Sequence, residues 1–290
     1  MRSWRLFSTL IFFTLFGVCF ADQEADISEN SHSDFKEKVV FIPAKHHTGV
    51  KYETTVFTKE TPEPSKAPIV ILVHGTSPKP GGNERRATFI YPTRFFIGLG
   101  CTVVIPMRRG FSQSSGPRVD VHDRYDLTRY GLDNASDLEE VVEWVRSSPD
   151  WNHRKIVMIG QSTGGLCVMA YSSLTRSRVD AIINFHGGIR PSSSSDPILQ
   201  GRINAFATFG HTSKPESLWI YTANDHSSNP DYIQRLHAAF TRAGGKAELH
   251  QLPAFKEDGH ILFGDRDGGA IWQPIVLNYL NRMDVFTPSP

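Results

Sequence analysis

Cysteine is scarce. Three in 290 residues are too few to staple a disulfide scaffold, so a core of ordinary apolar side chains must hold the fold. A surplus of either charge is also missing. Lys and Arg number 31 against 30 Asp and Glu, which leaves nothing to neutralise a run of phosphates and argues against a nucleic-acid partner. There is no Walker-type phosphate loop. A G-x-G-x-x-G dinucleotide fingerprint is absent too, because Ser162 stands where its second glycine would fall after Gly160. His46-His47 has no Cys or carboxylate spaced as a ligand set, so neither a metal nor a cofactor is expected. Apolar runs long enough to span a bilayer are lacking: the longest covers residues 6–20, short of the roughly 20 residues a span needs.

That run follows Arg2 and Arg5 and ends at Ala21, before the acidic Asp22 and Glu24. A basic start, a short apolar stretch and a small residue at the break predict a secretory signal peptide over 1–21 and an exported protein with no stable membrane insertion after cleavage. Residues 22–38 are polar with little periodicity and read as a flexible lead-in. Cys101 and Cys167 fall in a buried strand pattern and a buried helix pattern, and are read as free thiols.

From residue 39 the chain alternates. Short strand patterns at 39–42 and 53–58 precede a continuous β-branched and Leu run at Ile69–Val73, of the kind buried on both faces of a parallel sheet. Similar runs follow at 101–106, 155–159, 179–185 and 218–221, and a more polar one at 247–252 predicts a strand nearer the edge. Helical spacing marks 135–147, where Ser136 and Glu139 form a capping-box candidate. A second helix is expected at 230–243 after Asn229-Pro230, and a third at 270–282. With no internal repeat and no break in composition, 39–290 reads as one α/β domain, a mostly parallel sheet of about eight strands covered by helices on both faces.

The chemistry lies in the turns after strands. Gly160-Gln161-Ser162-Thr163-Gly164 joins a strand directly to a helix, the context in which G-x-S-x-G lifts a nucleophilic serine clear of the sheet. His74-Gly75-Thr76 ends the strand Ile69–Val73. Backbone N–H groups of Thr163 and Thr76, with Ser77 the lesser alternative, are the expected oxyanion donors. His74 is read as a structural holder of that loop. Asp225 and His260 each follow a later strand, giving the chain order Ser162, Asp225, His260 for nucleophile, acid and base. Asp225 is favoured over Asp231, which falls inside a helix, and His260 over His186, His226 and His250. Asp258 and Asp265 lie too close to His260 in sequence to serve as the acid.

These motifs, with Arg109-Gly110 through Gly116 after the strand at 101–106, resemble the α/β-hydrolase superfamily, and within it the dienelactone-hydrolase-like and small-esterase branches. The likeness runs from about residue 39 to 280. It departs at Ser112, where the family's R-G-x-G-x-S-x-G loop has Gly, and at Ser162, where dienelactone hydrolases carry Cys. The resemblance implies hydrolysis of a carboxylic ester of a small soluble substrate through an acyl-enzyme on Ser162. Residues 187–216 leave room for a small or partial cap only. A prolyl-type serine peptidase and a catalytically silent binding protein on the same scaffold are the competing readings. Arg108 and Arg109 are read as a solvated or structural pair in preference to a lure for acidic substrates.

Overall fold

A computed structural model describes residues 29–32, 35–60, 68–76, 85–119, 126–149, 151 and 154–286. The expected signal peptide and Ser77 lie outside the described residues. In chain order the elements are β1 (Glu29–His32), β2 (Phe35–Pro43), β3 (Lys51–Lys59), β4 (Ile69–Val73), α1 (Ile90–Gly98), β5 (Thr102–Pro106), α2 (Leu127–Ser147), β6 (Ile156–Gln161) and α3 (Thr163–Ser172). There follow β7 (Ala181–Phe185), α4 (Ile198–Thr212), β8 (Ser217–Thr222), α5 (Pro230–Arg242), β9 (Ala247–Leu252), a 3₁₀ turn (Gly259–Ile261) and α6 (Gly269–Arg282).

The strands form one sheet in the order β1-β2-β3-β5-β4-β6-β7-β8-β9, antiparallel from β1 to β5 and parallel from β5 to β9. Eight of these are the expected strands; β1 is an additional outer one. The run Ile69–Val73 shows why β4 sits at the centre. Ile69, Ile71 and Val73 enter the core beneath α2, α3, α4 and α5, while Val70 and Leu72 enter the core beneath α1 and α6. Each such side chain removed from water contributes about 1.5–3 kcal/mol. The two faces also settle the thiols. Cys101 belongs to one core and Cys167 to the other, on opposite sides of the sheet, and both are free.

Three stretches differ from the sequence pattern. The sheet starts before residue 39, so much of the expected flexible lead-in is strand. Phe35, Glu37 and Val39 point inward while Lys36 and Lys38 point out, and an inward glutamate, paired with Arg86 at 2.7 Å, disguises that alternation. Helix α2 begins at Leu127, with Asp126 accepting from the Arg129 N–H, rather than at 135. Ser136 is therefore mid-helix and donates back to the Asp133 carbonyl instead of forming a capping box. Gly131 lies inside this helix, where a Cβ would come within 2.7 Å of Phe209, so the glycine lets α2 and α4 approach. Helix α4, expected to contribute to a cap, buries Phe206 and Phe209 in the main core, against Trp219 in the case of Phe206. Only the loop 187–197 remains above the sheet at that point.

The chain runs from β4 out to β5 and then returns to β6 on the other side of β4. At such a reversal the loops leaving the strand ends diverge and open a crevice at the carboxyl edge. All the candidate residues lie along that edge.

Candidate active site

Ser162 separates β6 from α3 with φ 57° and ψ −127°, a conformation that side chains other than glycine's rarely adopt. The surrounding glycines make it possible. A Cβ on Gly160 would lie 2.3 Å from the Gly164 carbonyl oxygen, and one on Gly164 would lie 2.2 Å from that of Val73. The strained turn is held by Ser162 N–H donating to Phe185 O at 3.0 Å and by Ser162 O accepting from Leu166 and Gly188. Gly75 closes the other side, where a Cβ would stand 2.8 Å from Cβ of Ser162.

Asp225 and His260 leave the ends of β8 and β9 and meet: His260 Nδ1 donates to Asp225 Oδ1 at 3.0 Å. The Asp225 side chain is fully buried. Burial alone would raise its pKa, but the His260 hydrogen bond, the charges of His186 and His260 and the Ser227 N–H outweigh it and hold the carboxyl below its ordinary value. An ionised carboxylate only accepts, so the proton on the neutral imidazole sits on Nδ1 and leaves Nε2 as a base. The 3₁₀ turn carrying His260 is capped by Asp258, whose Oδ1 accepts from His260 N–H at 3.1 Å. Among the described residues no hydrogen bond joins His260 directly to Ser162. Their link is Gln161, whose Nε2 donates to the His260 carbonyl at 3.0 Å.

On the opposite side of the serine, Thr76 and Thr163 come together with their hydroxyls 2.9 Å apart. Arg108, at the end of β5 and 3% exposed, ties both down. Its Nη2 donates to Thr76 Oγ1 at 2.9 Å, Thr163 Oγ1 at 3.1 Å and Gly75 O at 3.3 Å, while Nη1 donates to Tyr130 Oη and Asn134 Oδ1. His74 takes the Arg108 N–H on Nε2 and donates from Nδ1 to Gly75 O. Burial, with Arg108 beside it, pushes His74 down to about 3, so it stays neutral and acts as a brace for the loop.

A sequence family described as alpha/beta hydrolase fold matches residues 68–210, the stretch from β4 through α4. The chain has the α/β-hydrolase fold. Solved structures similar to this hydrolase include the Pyrococcus furiosus esterase Pf2001, at 18% identity and TM-score 0.61 over 86% of this chain and 90% of that one. Another is Est1E from Butyrivibrio proteoclasticus with ferulic acid bound, at 16% identity and TM-score 0.59 over 84% and 99%. The Pyrococcus horikoshii acylaminoacyl peptidase matches at 16% identity and TM-score 0.62 over 86% of this chain, but over only 42% of its own. At such identities these likenesses speak for the fold.

The competing residues of this hydrolase are occupied elsewhere. His226 pairs with Asp258, His250 with Glu248, and Asp265 with Lys256. Arg109 pairs with buried Asp137, which fits its structural reading. Among the described residues no group of three or more His, Cys, Asp or Glu could hold a metal ion, and no helix is long and apolar enough to cross a membrane. Arg108 is structural as expected and His186 is not the base, but their particular contacts, and the role of Gln161, escaped the sequence reading. His186 is wholly buried at φ 53°, its ring 5.5 Å from that of His260, and its Nε2 accepts from the Thr222 N–H at 3.1 Å. Burial takes its pKa down to about 4. The one available signal was position, since each stands at the carboxyl end of a parallel strand.

Proposed function

We propose that this hydrolase is a serine esterase acting on small soluble carboxylic esters. The observation that carries this reading is the Asp225–His260 hydrogen bond at the same sheet edge as a serine in a strained elbow. Ser162 Oγ attacks the acyl carbon as its proton passes to His260 Nε2. The negative charge on the carbonyl oxygen is met by the N–H groups of Thr163 and Thr76, whose loops Arg108 holds together. His260 then protonates the alcohol oxygen as the C–O bond breaks. Water repeats the sequence on the acyl-enzyme and regenerates Ser162. Asp225 keeps the imidazole in the required tautomer and stabilises its charged form.

Esters are favoured over peptides because the likeness to the acylaminoacyl peptidase leaves more than half of that enzyme unmatched. The charge and apolar pattern of residues 1–21 supports export through a secretory signal. A fluorophosphonate probe tests the reading. Labelling should map to Ser162 and vanish in Ser162→Ala, and His260→Ala should slow it by several orders of magnitude. Folded protein that takes no label would instead support the silent binding scaffold. Turnover of a proline-containing aminoacyl amide at the rate of its ester would move the proposal to a peptidase.

A further inference from the structure

Beside the acid loop lies a cavity of about 480 Å³, lined by the loop after β7 (Arg190 to Ser194) and by the start of α5 (Ser227 to Asn229, Tyr232 and Arg235). Asp225 forms part of its wall, but the carboxylate itself is fully buried and its Oδ1 is taken by His260 and Ser227. The nearby Asp196 accepts from Ser192 N–H, Ser192 Oγ and the Ile198 N–H. Asp196 is thus withdrawn into local hydrogen bonds, while Asp225 is paired through Oδ1 and keeps Oδ2 buried without a partner among the described residues.

The cationic groups are not. Arg190 and Arg235 are exposed, and neither forms an ion pair among the described residues. Beneath the cavity floor is a third guanidinium. Arg202, on α4, is 0% exposed, and no carboxylate among the described residues lies within ion-pair distance of it. It donates to Ser227 O at 3.4 Å and Ser228 Oγ at 2.5 Å, stacks on the Tyr232 ring at 4.8 Å, and its Nε has no partner among the described residues. All three of those neighbours line the cavity. A buried cation left without an anion is costly, so its retention calls for an explanation. On its other side Arg202 packs against Gly188, where a Cβ would lie 2.4 Å from Cζ, and Gly188 N–H binds the carbonyl of Ser162. Arg202 therefore lies between the nucleophile's turn and the cavity.

We infer that this cavity is a substrate subsite for an anionic oxygen group, a carboxylate or a phosphate, borne by the ester that Ser162 cleaves. This deepens the proposed esterase function and rests on it. Guanidinium forks on two walls suit either group, and the seryl and Asn229 side chains supply neutral donors between them. The cavity adjoins the candidate site, since Asp225, the partner of His260, forms part of its wall and Arg190 is two residues beyond Gly188, whose N–H binds the Ser162 carbonyl. The positive charge at this cavity is supplied by Arg190 and Arg235 on its walls, with Arg202 beneath its floor, while Arg108 and Arg109 are committed to structure.

Three acetyl esters of similar shape test the inference: 4-acetoxybenzoate, 4-acetoxyphenyl phosphate and the neutral 4-acetoxybenzamide. Each kcat/KM is divided by the ester's alkaline hydrolysis rate, to remove differences between leaving groups, at about 0.15 M salt, where long-range steering is largely screened. One or both anionic esters should exceed the amide by about tenfold or more, which corresponds to about 1.4 kcal/mol, and the better of the two identifies the group. Arg190→Ala with Arg235→Ala, both at exposed positions, should bring the ratio close to one and leave the amide's rate unchanged. In parallel, 4-hydroxybenzoate or phenyl phosphate should raise the unfolding midpoint of the wild-type protein and not of the double variant. Equal rates on all three esters with no midpoint shift overturn the subsite and leave the esterase standing. Midpoint shifts that need the arginines, with no ester cleaved, support the anion site and remove the esterase reading.

Discussion

Arg108→Met is the perturbation that asks most of the proposed site. The guanidinium makes five side-chain hydrogen bonds, three of them through Nη2 to Gly75, Thr76 and Thr163. A hydrogen bond to a charged group contributes about 1.5–3 kcal/mol, but removing the ion also removes its desolvation cost. What remains is the cost of the neutral groups left without their partner, about 1–3 kcal/mol for each that stays buried and unsatisfied. Activity should fall separately. With the tether gone, the Thr76 and Thr163 loops lose their fixed spacing, and a misplaced oxyanion donor costs about 10²–10³ in kcat. Arg108→Lys keeps a charge but loses the fork, because an ammonium has three donors against the five bonds made here, and its losses should be intermediate. Turnover of phenyl acetate is measured well below each variant's unfolding midpoint, with fluorophosphonate titration to count active molecules. The expected result is lower kcat per labelled site with KM nearly constant. If Arg108→Met turns over at the wild-type rate per labelled site, the coupling between Arg108 and the oxyanion donors is wrong.

Three other outcomes are expected. Burial lowers the His186 pKa from 6.5 to about 4, so between those values the unfolded chain binds a proton that the folded one does not. Stability, full above pH 6.5, should therefore decline toward pH 4 by up to about 1.4 kcal/mol per pH unit. His186→Asn, which tolerates the positive φ, should remove its share of that slope in a chemical-denaturation series and leave the share of His74, whose pKa burial lowers to about 3; an unchanged slope would refute the assignment. Gly75→Ala places a methyl 2.8 Å from Cβ of Ser162; loss of fluorophosphonate labelling at near-native circular dichroism is expected, and wild-type labelling would show that the loop can give way. Burial pushes the Cys101 thiol up to about 12 and the Cys167 thiol up to about 11. Reductant should leave the unfolding midpoint unchanged, and maleimide should react only on unfolding; a midpoint drop with reductant would reveal a bridge the structure does not contain.

How much could be read beforehand depended on how local the controlling interactions are. Strand β4 declares itself because five consecutive residues must be apolar when both faces are covered. The elbow does so because glycines two positions either side of Ser162 are demanded by contacts of 2.3 Å and 2.2 Å. Asn229 caps α5 through the Tyr232 N–H as its neighbours suggested. Where a distant partner decides, the pattern was mute or misleading. Glu37 points inward because Arg86 meets it, and Gly131 sits inside a helix because Phe209 fills the space above it. The second half of 187–216 looked like cap material, since nothing in it names Trp219 as its packing partner. The contacts of Arg108 and His186 belong to the same class, as they come from elements distant in the chain.

The bond from Gln161 to the His260 carbonyl spans 99 positions of chain. Closing so long a loop is entropically expensive and comes late in the assembly of a sheet with many non-local pairings. His260 lies beyond β9, the outermost parallel strand, so His260 and Ser162 are brought together only when β9 has docked on β8. Emergence from the ribosome follows chain order, and the elbow is synthesised about a hundred residues before the proposed base. A nascent chain can therefore hold a formed elbow for some time without chemistry. Reactivity would come last in maturation, as a sign that the sheet is closed at its far edge.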